Sequence, residues 1–102
     1  MNNVAGNNLT FNPDQALGVA KSIKTKANNA DTLIKQLQSE IHAVSGWWQG
    51  ESQTAFIQQF DGLMPSFKEM VLCVENISKN LTQIANIKQQ AEQEMASKLR
   101  GK

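Results

Sequence analysis

Apolar residues recur along this chain in alternating steps of three and four. In the first half Ala20, Ile23, Ala27, Ala30, Ile34, Leu37, Ile41 and Val44 are separated by 3, 4, 3, 4, 3, 4 and 3 residues. That is a repeat of 3.5, which holds one stripe of a helix toward a partner helix over several turns. In the second half Phe56, Phe60, Leu63, Phe67, Met70, Val74, Ile77, Leu81, Ile84, Lys88, Ala91 and Met95 keep the same alternation, and only Lys88 breaks its apolar character. A flanking row at Ile57, Met64, Val71 and Ala85 makes this second stripe broader than a two-stranded seam requires, so the second helix has apolar surface for two neighbours. The period predicts near-antiparallel packing at about +20° with left-handed supercoiling. Three alanines in the first seam allow the opposing helix to approach closely.

Local signals divide the chain into an all-α, antiparallel helix-turn-helix hairpin over residues 1–102. Residues 1–12 are rich in Asn and Gly and read as a mobile arm whose Val4, Leu9 and Phe11 are suited to dock on a neighbour. Asn12-Pro13-Asp14 announces the first helix, with Asn12 as cap, Pro13 at the first helical position and Asp14 at the positive end of the dipole. That helix is expected over 13–45 and a turn over 46–51. The second helix is expected over 52–97, opened by Gly50 with Glu51-Ser52, where Ser52 is suited to cap and Glu51 suits the dipole. Gly62 and Pro65 predict a bend or brief break near 61–65, because a proline inside a helix removes a hydrogen bond. A fraying tail at 98–102 carries Lys98, Arg100 and Lys102, which suit a helix C-terminus.

At 102 residues, 40% hydrophobic and 19% charged, the chain is long enough for one domain and too apolar to stay disordered. Two helices lying side by side nevertheless bury less surface than a compact domain of this length should, so the pattern implies a partner. Ten basic and nine acidic residues are mixed along the chain, without the basic stripe of a nucleic-acid binder. Lys21, Lys24 and Lys26 form a small basic cluster with no large aromatic nearby, which is too little to point to a membrane surface. The longest apolar run, from Met70 to Val74, is far short of the ~20 residues of a spanning helix. The start of the chain has neither a charged nor an apolar leader region, so no cleavable signal peptide is expected.

Candidate chemistry is sparse. Cys73 is the single cysteine; it sits beside the second seam and reads as a small packed apolar residue rather than a reactive thiol. His42 is the single histidine and, without a Cys/His cluster, reads as a partly solvated surface residue rather than a metal ligand. There is no nucleophile motif and no Gly-rich phosphate loop. The sequence therefore predicts no catalytic residue, no cofactor and no metal, and the chain reads as non-enzymatic.

What remains is the turn. Trp47 and Trp48 supply large, rigid contact area in a chain whose other aromatics are four phenylalanines. Trp48-Gln49-Gly50 lies between the two helices and is followed by Phe56 and Phe60 on the second. With the length of about one hundred residues and the two seams, this resembles the WXG (Trp-X-Gly) family of small secreted helical hairpins, similar to the early secreted antigenic target. The resemblance covers the whole chain. It implies an antiparallel four-helix bundle of two hairpins, either a homodimer or a pairing with a paralogous hairpin. It also implies export of the folded dimer by the ATPase-driven type VII secretion system of Gram-positive or mycobacterial bacteria. In that family the turn motif of one protomer and a C-terminal motif of the other form a composite recognition element, a role that Trp48 and Gly50, with Trp47 beside them, inherit here. The family's tail motif is a tyrosine followed four residues later by an acidic residue. This chain has no tyrosine; Lys88 stands at the aromatic position and Glu92 at the acidic one. The seam residues expected in the hairpin or dimer contact are Ala27, Ala30, Ile34, Leu37, Ile41, Phe56, Phe60, Phe67, Val74 and Ile77. Two other readings stay open: a cytosolic chaperone or targeting subunit that pairs with the helical leader of a larger type VII toxin, and an unrelated cytosolic coiled-coil scaffold.

Overall fold

The computed structural model describes residues 10–101; residues 1–9 of the expected arm, with Val4 and Leu9, and Lys102 lie outside the described residues. Helix α1 spans Pro13–Ala43 and runs into a single 3-10 turn at Val44–Gly46. Helices α2 (Glu51–Asp61) and α3 (Met64–Arg100) return along it. Asn12 caps α1 through its side chain, whose Oδ1 accepts the Gln15 backbone N–H at 3.0 Å, with Pro13 in the first turn. Ser45 closes the other end, its hydroxyl donating to the His42 carbonyl at 2.9 Å.

The return helix departs from expectation at its two ends. Its cap is Gly50 itself and not Ser52: Gly50 is the N-cap with φ 125° and ψ −179°, a region that side chains with a Cβ rarely adopt. Of the bend or brief break expected at 61–65, the structure takes the break, between two helices. Gly62 and Leu63 form a turn, their N–H groups donating to Gln58 and Phe60 carbonyls at 2.9 Å each, and Pro65 falls in the first turn of α3, where its missing N–H costs no helical bond. At the far end α3 stays helical through Arg100, so the residues read as a fraying tail from 98 extend the helix.

Residues 51–100 would span about 75 Å as one straight helix, and the longest dimension of the molecule is 79 Å. The break at 62–63 therefore carries the chain on rather than turning it back. The other dimensions are 30 and 16 Å, two helices wide and little more than one deep. The radius of gyration of 22.7 Å far exceeds the ~13 Å of a compact chain of this length.

Three polar ties set the antiparallel register. Near the open end Gln89 Nε2 donates to Asp14 Oδ1 at 3.2 Å. Further in, the buried Ser78 hydroxyl donates to the Ala20 carbonyl at 2.7 Å. Next to the turn His42 Nε2 and Asp61 Oδ1 are 2.8 Å apart. Between them lies a thin core of Ala20 and Ala27 from α1 against Met64, Val71 and Ala85 from α3. Among the described residues no large apolar side chain is completely enclosed.

Candidate functional site

The row that α1 covers on the return helix is the flanking one. Met64, Val71 and Ala85 are buried, and the fourteen-residue step between the last two is filled by Ser78. A polar residue at that point hides the row from a search for apolar period. Its hydroxyl is accommodated because the Ala20 carbonyl accepts it and because Ala20 has no bulk to hold the helices apart.

The expected seam instead splits in two. Phe60, Phe67, Val74 and Leu81 are half-buried along the edge of the hairpin contact. Phe56 and the row Leu63, Met70, Ile77 and Ile84, spaced in sevens, face outward, the latter four between 45% and 56% exposed. On α1, Ala27 is buried, Ala30, Ile34 and Ile41 are half-buried, and Leu37 is exposed. Heptad geometry places Val19, Leu33 and Leu37 of α1 on the same side as the outward row of α3. Shallow grooves run between the two helices on that side. One, about 260 Å³, is walled by Ala27, Ala30, Met70 and Val74; another, about 190 Å³, by Ile41, Phe56, Phe60 and Leu63. The opposite side is polar and carries the His42–Asp61 and Asp14–Gln89 contacts together with half-buried Asp31, Gln38, Glu75 and Thr82. His42 is thus a partly solvated tie between helices. The Cys73 reading needs correction: the thiol is exposed, because position 73 points away from α1 and lies beside the outward row, three residues after Met70 and four before Ile77.

At the turn the aromatic residues form a ladder. Trp48 packs on Phe56 with ring centroids 5.3 Å apart, and Trp47 stacks on Trp48 at 6.1 Å. Trp47 is 76% exposed, whereas Trp48 is half-buried. The backbone N–H groups of both donate to the Val44 carbonyl, at 3.1 and 2.9 Å, which fixes the ladder to the end of α1. Gly50 then redirects the chain into α2; nothing lies within 4 Å of where a Cβ would stand, so its backbone angle and not a lack of space selects glycine.

Lys88 and Glu92 are exposed one turn apart on α3. By the register of Asp14 with Gln89, α3 projects about ten residues beyond the start of α1, roughly 15 Å. Thr10 and Phe11 run beside this projection and, with Lys88, Ala91, Glu92 and Met95, border a groove of about 350 Å³. Phe56 and Glu92 are separated by 36 residues along the return helix, roughly 54 Å. Within one hairpin the turn motif and the tail residues therefore lie at opposite ends and do not meet.

Among the described residues no group of three His, Cys, Asp or Glu is arranged to hold a metal ion. No helix there is long and apolar enough to cross a membrane.

The architecture recurs in solved structures. Geobacillus thermodenitrificans EsxA superposes with a TM-score of 0.79 at 33% identity, covering 88% of this chain and 99% of that one. EsxB of Bacillus anthracis, described as a secreted protein, superposes with a TM-score of 0.74 at 26% identity over 80% of this chain and 98% of that one. In sequence, Protein YukE of Bacillus subtilis is 27% identical over 93 residues, 91% of this chain and 96% of that protein. An aromatic-glycine turn between two helices, the hairpin around it and a match of residues 8–93 to the family profile lead to one conclusion: the chain belongs to WXG100, the proteins of 100 residues with WXG.

Proposed function

We propose that this chain is a small, non-enzymatic secreted protein that pairs with a second copy into a four-helix bundle and leaves the cell as a folded dimer through a type VII secretion system, acting as effector or export adaptor. The observation that carries the reading is the outward row of Leu63, Met70, Ile77 and Ile84, an uncovered apolar strip on a hairpin whose own core is thin. Large apolar strips of this kind mark association surfaces. Antiparallel pairing of two hairpins through it brings the turn of one protomer toward the tail of the other. The recognition residues are Trp47, Trp48 and Gly50 from the turn, with Lys88 and Glu92 from the partner's tail, read by the secretion ATPase.

The test is export of point variants by a host that carries the system. Trp48→Ala is expected to keep helicity and disappear from the culture supernatant. Normal export of that variant, or its unfolding, contradicts the division of labour. Absence of the unmodified protein from the supernatant supports the cytosolic scaffold instead.

Lys88 favours a second reading. It places an exposed cation on a row that is otherwise apolar, which suits a partner offering a carboxylate opposite. In that reading the chain is a chaperone or targeting subunit that pairs with the helical leader of a larger type VII toxin, and co-expression with such a leader yields a one-to-one complex in preference to the homodimer.

A further inference from the structure

Two rows on the α1 side of the return helix do not stop where α1 begins. The buried row Met64, Val71, Ser78 and Ala85 continues in sevens to Glu92 and Leu99, and the edge row Phe60, Phe67, Val74 and Leu81 continues to Lys88 and Met95. These last positions lie on the part of α3 that projects past the start of α1, on the side along which a longer α1 would run. Met95 and Leu99 are 66% and 70% exposed there. Ten residues of helix without a neighbour are marginal in water, yet α3 remains helical through Arg100.

The chain ahead of α1 enters on this side. Asn12 is extended, with φ −101° and ψ 105°, and Thr10 and Phe11 line the groove of about 350 Å³ with Ala91 and Met95. Extended backbone advances about 3.3 Å per residue and turns alternate side chains to one face. Continued in that form, the residue two before Phe11 stands on the same face and about 6.5 Å farther along, close to the rise of four helical residues. That residue is Leu9, and four residues past Met95 is Leu99. We infer that Leu9 seats over Met95 and Leu99 of its own chain, so that the segment ahead of α1 takes up the track of α1 and covers the last turns of α3. The groove is then the inner part of a longer docking track. A leucine buried there removes apolar surface from water at a helix end that has no other cover within the hairpin, and it keeps Lys88 and Glu92 on ordered helix. The contact lies within one chain and does not rest on pairing with a second copy.

Cross-linking in the full chain tests it. In a Cys73→Ala background, which removes the native thiol, Leu9→Cys is combined with Leu99→Cys or, as a control on the opposite face of the same turns, with Ser97→Cys, and each chain is oxidised with copper phenanthroline at high dilution. Docking of residue 9 on the α1 side of α3 predicts a disulfide closed within one chain, formed about tenfold faster with position 99 than with 97, because the bond requires the two Cβ atoms to approach closely. The second readout leaves α3 unaltered: Leu9→Ser is expected to speed hydrogen exchange of the amides from Ala91 to Leu99 about threefold or more, while those from Met64 to Leu81 keep their rates. Equal closure at 99 and 97, disulfides formed only between chains, or exchange rates at the end of α3 that Leu9→Ser does not move would each overturn the inference, and none of these outcomes bears on the homodimer reading.

Discussion

Two rows of residues run side by side along the return helix, and they have been given opposite sizes. The row under α1 consists of Met64, Val71, Ser78 and Ala85, all buried, three of them small or short. The outward row consists of Leu63, Met70, Ile77 and Ile84, all large and about half exposed. In a self-contained domain the large side chains would be inside, since each fully buried one contributes about 1.5–3 kcal/mol. Here small residues draw the two helices of the hairpin together, while the larger apolar surface lies outside it. On the proposed pairing the hairpin is half of a core, and a second copy supplies the other half.

The sharpest way to break this comparison is to charge the outward row. Ile77→Asp would bury an unpaired carboxylate in each half of a two-fold interface, a cost of several kcal/mol per dimer. It is expected to weaken dimerisation by at least about 100-fold, measured by sedimentation or light scattering over a dilution series. The matching change on the inner row is Ala27→Leu. Extra methylenes at a close helix approach cost about 1–3 kcal/mol, so the denaturation midpoint falls while the molar mass is retained at high concentration. If the two variants exchange phenotypes, the assignment of the rows is reversed.

Smaller effects sharpen the picture. Gly50→Ala forces a Cβ onto a backbone at φ 125°, for which about 1–3 kcal/mol is expected. Chemical denaturation measures it, and a neutral outcome would mean that the turn has relaxed into another conformation. Ser78→Ala removes the hydroxyl donated to Ala20. Because that carbonyl still has its place in the α1 hydrogen-bond ladder, the loss should be about 0.5–1.5 kcal/mol, the smallest of the set.

The helices and their antiparallel return were legible because a 3.5-residue apolar period survives the substitution of any one position. Which apolar row faces α1 was not legible: a stripe three rows wide can turn either edge inward, and the polar Ser78 interrupted the row that does so. The cap at Gly50 was missed because Ser52 carries the more familiar capping side chain, whereas what the turn requires there is a backbone angle. At 61–65 the sequence left a bend and a brief break both open, since proline suits a kink and a first turn alike; the structure takes the break, with Pro65 in the first turn of α3. The order of exposure in the Trp47–Trp48 pair escaped the sequence altogether, because adjacent residues outside a helix carry no periodic signal. The ties Asp14–Gln89 and His42–Asp61 join residues far apart in the chain and become visible only once the register is set.

The central claim is that the outward row is an interface for a second copy, and the solution molar mass of the intact chain tests it most directly. Light scattering across a concentration series, with helicity recorded on the same samples, should give about twice 11.3 kDa with high helical content. A mass that stays at 11.3 kDa at every concentration would contradict the account.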